Sequence, residues 1–184
     1  MRLFVAIDLP PAVLDALERL GSCLRPLARI SWTRRDNWHL TLKFVGEWPE
    51  GRVGEMEAAL RPLAGRAPIP LEVCGLGFFP NARAPRVLWV GVEAPPSLAQ
   101  LARDTEEALA ALGIERERRP YSPHLTLARI KEPVRLDGLH DAIARLPSAE
   151  FGSFTAESFC LYQSVLQPGG SVYTRLAEFP FQQP

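Results

Sequence analysis

The chain has 184 residues, 47% of them hydrophobic, and a formal net charge of zero. That length suits one domain, or two small lobes folded as one, and the neutral balance argues against a protein that captures polyanions by bulk charge. No apolar run is long enough to cross a membrane. The opening Leu3-Phe4-Val5-Ala6-Ile7 is too short for a signal peptide and lacks a cleavage region, so a cytoplasmic protein is expected. Cys23, Cys74 and Cys160 are odd in number, widely spaced and set among apolar residues, which reads as reduced, buried thiols. All the cations except Lys43 and Lys131 are arginine. Biased genome composition is the plainer explanation, but forked guanidinium donors also suit phosphate oxygens.

In chain order, Arg2 to Asp8 reads as a strand. Pro10-Pro11 starts a helix that runs to about Cys23, with Val13, Leu14, Leu17 and Leu20 on one face. Ile30 to Thr33 is short and extended, Trp38 to Gly46 is a strand, and Glu50 to Leu63 is helical with Val53, Met56 and Leu60 inward. Leu71 to Phe79 is extended after the break at Pro68-Ile69-Pro70. The order then repeats: strand Arg86 to Glu93, helix Pro95 to Leu112 stopped by Gly113, strand Ser122 to Ile130, helix Leu136 to Leu146. Glu150 to Gln167 and Val172 to Phe179 read as strands joined at Pro168-Gly169-Gly170.

The repetition extends to single residues. His39-Leu40-Thr41-Leu42 and His124-Leu125-Thr126-Leu127 are identical and 85 positions apart. At the same offset Leu3 meets Leu88, Val5 meets Val90, Pro10-Pro11 meets Pro95-Pro96, Glu47 meets Glu132 and Asp8 meets Glu93. Similarity at one fixed offset means two copies of one structural unit. The expected fold is α+β: a bilobal internal duplication, with two antiparallel sheets flanked by helices around a central cleft. One domain is expected over residues 1–184, with the first repeat about 1–80, the second about 86–165, and C-terminal strands pairing back onto the lobes. Both motif strands should be central, with His39 and His124 facing one cleft. A parallel, doubly wound alternative lacks a glycine-rich phosphate loop.

Strand alternation puts His39, Thr41 and Lys43 on one face and Leu40, Leu42 and Phe44 on the other. It likewise groups His124 with Thr126, opposite Leu125 and Leu127. A lone histidine-threonine pair is usually a satisfied structural element. Two pairs in register are better explained by one shared, wet cleft. Two imidazoles supply a general acid and a general base near neutral pH, and two threonine hydroxyls can hold an anionic tetrahedral group. The combination fits phosphodiester cleavage without a covalent intermediate.

The paired words resemble the two-histidine phosphoesterase superfamily. Their contexts, His39 to Glu47 and Pro120 to Arg129, together with the opening Arg2 to Pro10, resemble its bacterial LigT-like branch, the RNA 2′,3′-cyclic phosphodiesterases also called 2′-5′ RNA ligases. The resemblance spans essentially the whole chain. It implies no metal cofactor, and hydrolysis of an RNA terminal 2′,3′-cyclic phosphate to a 2′-phosphate, with reversible 2′-5′ RNA ligation as a further face of the same site. It further implies His39 as proton donor, His124 as proton acceptor and Thr41 and Thr126 as phosphate ligands; the near-symmetric repeat by itself leaves the histidine roles open. Arg129 resembles a phosphate-side arginine of the family, yet strict alternation points it away from His124 unless a bulge or strand end turns it.

Arg34 and Arg119 each precede a motif histidine by five residues, and either line the cleft mouth or lie on exposed loops. Lys43 either contacts RNA or is a solvated edge lysine. Tyr121, Trp38 and Phe44 are candidates to stack a base, although Phe44 fits better in the core with Leu40 and Leu42. The expected partners are RNA ending in a cyclic phosphate, or small cyclic nucleotides, met by a monomer without a membrane. Metal binding finds no support in the spacing of histidines and cysteines. Two rivals remain: a non-catalytic RNA-end binding module, and a phosphotransferase using one histidine as nucleophile.

Overall fold

In the computed structural model, residues 1–182 are described. Among these residues nine strands form two sheets, and every strand pairing is antiparallel. The strands are β1 (Arg2–Ile7), β2 (Ser31–Trp32), β3 (Leu40–Glu47), β4 (Ile69–Phe79), β5 (Val87–Glu93), β6 (His124–Arg129), β7 (Glu150–Ala156), β8 (Ser158–Gln167) and β9 (Gly170–Pro180). The helices are α1 (Pro11–Leu24), α2 (Val53–Leu60), α3 (Pro96–Ala110) and α4 (Asp137–Ala144). Proline at the first helical position opens both α1 and α3, where its missing N–H costs nothing. Gly113 follows α3 at φ +90°, a left-handed conformation that a side chain would disfavour.

The sheet orders are β3-β1-β8-β9 and β2-β6-β5-β4-β7. The duplication appears in the core of each: motif strand, opening strand of the same repeat, then a strand from the other repeat. Helices cross in the same way. α3 packs on β3 and α1 on β7, so a Cβ at Gly152 would sit 3.3 Å from Val13. Each sheet therefore mixes both repeats, and neither repeat could bury its apolar faces alone. β1 is buried on both faces, as its unbroken apolar run demands: Leu3, Val5 and Ile7 join the main core, while Phe4 and Ala6 pack with Cys160 and Tyr162.

Three sequence expectations change. Glu150 to Gln167 is not one strand: at Glu157 the chain leaves one sheet for the other, because β7 pairs with β4 and β8 with β1. The motif strands are not both central. β3 is the edge of its sheet, and β6 is screened only by the two-residue β2. Cys23, on the outer side of α1, is exposed, whereas Cys160 is buried. Among the described residues no helix is long and apolar enough to cross a membrane.

Candidate active site

The two motif strands lie against each other. A cross-repeat strap reinforces this placement. β2, from the first repeat, pairs with β6 through Ser31 opposite Arg129 and Trp32 opposite Ala128. The chain continues through a 3-10 turn, Arg35–Asn37, directly into Trp38 and His39. Tyr121, just ahead of the second motif, donates its hydroxyl to the Thr41 carbonyl at 3.1 Å. The segment leading into each motif is thus tied by hydrogen bonds to the strand that carries the other.

Both motif strands are bulged at the same repeat position. In β3, Ala6 faces Thr41 and Val5 faces Lys43, which leaves Leu42 extra. In β6, Trp89 faces Thr126 and Leu88 faces Ala128, which leaves Leu127 extra. A bulge sets two residues against one and reverses the facing of everything beyond it. Lys43 and Ala128 therefore turn into the core, and Phe44 and Arg129 turn out.

The consequences differ from strict alternation. Lys43 is only 6% exposed. Its ammonium lies 2.9 Å from both carboxylate oxygens of Glu106 on α3 and donates to the Glu115 carbonyl at 2.8 Å. It is a core-facing cation held by α3, not a solvated edge lysine. Phe44, expected in the core, is 62% exposed, its ring 6.2 Å from Phe4 on the face that carries His39. Arg129 reaches the histidine face by the bulge that the sequence could only name as a condition. Its charge acts on Tyr173, whose ring lies 5.6 Å from His39.

The remaining candidates separate. Thr41 and Thr126 are partly accessible beside their histidines. Tyr121 is largely buried, and burial raises the affinity of its hydroxyl for its proton. With that hydroxyl engaged by the Thr41 carbonyl it braces the strands. Trp38 is likewise buried, at 4% exposure. Arg34 is exposed but donates to the Ser171 carbonyl at the tip of the β8–β9 hairpin, at 3.3 Å. Arg119 is exposed on the loop before Pro120.

The two imidazoles are anchored differently. His124 Nδ1 lies 2.7 Å from the Ser122 carbonyl. A carbonyl only accepts, so this nitrogen carries the proton and Nε2 of the neutral ring keeps its lone pair. Phe79 meets that ring edge-on at 4.9 Å. His39 has 11% of its side chain exposed and sits among Phe4, Tyr162 and Tyr173. Its Nδ1 is buried without a hydrogen bond of good geometry, although the carbonyl of Asn37, the repeat partner of Ser122, favours its charged form. Its Nε2 is 3.6 Å from Asp8 Oδ1. Burial lowers its proton affinity below that of an ordinary histidine, and Asp8 opposes the fall.

Alternation along β1 carried a signal for part of this environment. Phe4, Ala6 and Asp8 alternate with the core residues Leu3, Val5 and Ile7, which places them together on the His39 face. Tyr162 and Tyr173 carried none, because they come from the distant β8–β9 hairpin.

A duplicated α+β architecture with paired, bulged His-Leu-Thr-Leu strands defines a protein of the two-histidine phosphoesterase class. The chain belongs to the LigT-like phosphoesterases: the family described as LigT like Phosphoesterase matches it twice, over residues 7–89 and 90–173. It is 35% identical over 181 residues to a protein of Methanothermobacter thermautotrophicus named RNA 2′,3′-cyclic phosphodiesterase, covering 97% of this chain and 98% of that one. Its fold is similar to the crystal structure of TT0787 of Thermus thermophilus, with TM-score 0.82, 35% identity and 98% of each chain covered. It is also similar to Escherichia coli LigT complexed with 3′-AMP, with TM-score 0.78, 31% identity and coverage of 99% of this chain and 98% of that one.

Proposed function

We propose that the protein hydrolyses the terminal 2′,3′-cyclic phosphate of RNA to a 2′-phosphomonoester, using His39 and His124 and no metal ion. The observation that carries this reading is the pair of identical motifs on adjacent strands, bulged at the same position, with two differently anchored imidazoles. The names of the relatives support the same substrate.

In this reading His124 is the base. Its Nε2 lone pair takes a proton from water, the water oxygen bonds to phosphorus, and the bond from phosphorus to O3′ breaks. His39 is the acid and gives its proton to O3′, leaving a 2′-phosphate and a 3′-hydroxyl. A depressed proton affinity makes the His39 imidazolium a stronger acid. Thr41, Thr126 and Arg129 hold the phosphate oxygens, and Phe44 offers a base a ring to stack on. With a 5′-hydroxyl of a second RNA in place of water, the same steps would open the cyclic phosphate into a 2′-5′ bond and a 3′-hydroxyl, and the reverse of that transfer would split such a bond. The free cysteines suit the reducing interior of a cell.

The deciding experiment incubates the protein, in a chelating buffer, with RNA ending in a 2′,3′-cyclic phosphate and resolves the products. A 2′-monophosphate is expected. A 3′-monophosphate would exchange the two histidine roles. Binding without turnover would identify an end-binding module instead, and a phosphohistidine would identify the nucleophilic scheme.

A further inference from the structure

The surroundings of the two histidines follow the duplication except at one place. Asp8 and Glu93 occupy equivalent positions just after or at the end of the opening strands. Glu93 acts on the Cys74 thiol, and among the described residues no carboxylate pairs with His124. Asp8 lies beside His39 and is itself held. Tyr162 donates to its Oδ1 at 2.5 Å, and Arg175 donates to its Oδ2 at 2.9 Å. Arg175 is in turn fixed by Glu178 at 3.1 Å, and Glu178 by Ser158 at 2.8 Å. The carboxylate is therefore built into the β8–β9 hairpin, and the hairpin aims it at one imidazole only.

We propose that Asp8 is the positioning residue of the reaction: held by Tyr162 and Arg175, it offsets part of the cost of charging the buried His39 and directs its Nε2 proton toward the leaving oxygen. This rests on the phosphodiesterase reading above. The distance carries the argument. At 3.6 Å the contact is too long for a hydrogen bond and becomes an ion pair once the ring is protonated, so the carboxylate stabilises the imidazolium without tying up its proton. Burial disfavours the charged form of a histidine enclosed by Phe4, Tyr162 and Tyr173, and a discharged ring cannot serve as an acid. The charged and titratable groups around the ring are Asp8 after β1, Tyr162 on β8, and Tyr173 and Arg175 on β9. Of these Asp8 favours the charged ring and Arg175 opposes it. The duplication then yields an acid and a base from one motif: a carboxylate beside the first histidine, a lone carbonyl contact on the second.

The test uses two variants with opposite expected signs. Asp8→Asn removes the stabilising charge, so the alkaline limb of kcat/KM moves to lower pH and turnover falls roughly tenfold at pH 8 but less at pH 6. Arg175→Gln removes the opposing cation, so the limb moves to higher pH. The His39 ring proton, followed by NMR in each protein, should titrate in step with the limb. A merely structural role would lower activity in both variants without moving either titration in opposite directions. If His39 titrates at the same pH in all three proteins while the unaltered enzyme turns over, the inference is overturned, and Arg175→Gln still decides it should Asp8→Asn not fold. Lack of turnover in the unaltered protein would instead remove the phosphodiesterase reading, before any variant is made.

Discussion

Lys43 offers the sharpest separation of a binding role from a structural one. Replacing it by methionine keeps most of its length and apolar stem but deletes the ammonium. Glu106, whose side chain is 21% exposed, then loses its partner, and the Glu115 carbonyl loses a donor. Breaking a fully buried pair costs about 3–5 kcal/mol. Glu106 retains a path to water, so a loss of about 2–3 kcal/mol is expected. For a chain of this size that is a fall of roughly 4–12 °C in Tm. Removing both charges, as Lys43→Met with Glu106→Gln, should recover about half of the loss or more, since no charge is then left without a partner. Urea unfolding of the three proteins measures this, alongside kcat/KM on cyclic-phosphate RNA at a temperature where all remain folded. Activity per folded molecule should be nearly unchanged. A Lys43→Met protein of normal stability with a raised KM would refute the core placement of this side chain and return it to the RNA.

Other expectations follow from the same geometry. His39→Ala and His124→Ala should each lower the rate about 10² to 10⁴-fold, with a double variant far from multiplicative because the two act as a unit; full activity in either would end the acid-base scheme. The unaltered enzyme should show a bell-shaped kcat/KM profile whose two limbs belong to the pair. Phe44→Ala should leave stability nearly intact but raise KM by the worth of a stacked base, about 1–3 kcal/mol, and an unchanged KM for RNA would show the ring idle. Burial depresses the proton affinity of His39, so the unfolded chain binds its proton more readily than the folded one. The stability this ring contributes is then complete above its unfolded pKa of about 6.5 and declines as the pH falls below that value. Comparing urea midpoints at pH 7.5 and 5.5 with those of His39→Gln checks the sign: the difference between the two pH values should shrink in the variant.

Much of this protein is legible before folding. The 85-residue repeat, the proline starts of α1 and α3 and the two His-Leu-Thr-Leu words are local patterns, and local patterns need no partner to be read. They specify the α+β order of elements and two copies of one unit, and they single out the two histidines as the candidates for the chemistry proposed above. What lies beyond them depends on how strands meet. A bulge depends on the register between two strands, and the motif words do not contain that register. Leu42 and Leu127 look like ordinary inward residues, yet each is the extra one, and so Lys43 is buried with Glu106 while Phe44 and Arg129 face the histidines. The exchange of β4 and β8 between sheets likewise depends on long-range pairing, and it alone brings Tyr162 and Arg175 to Asp8. The two histidines are equal in sequence because they share a motif. They become unequal in the folded chain because different strands, from opposite ends of the sequence, pack around each.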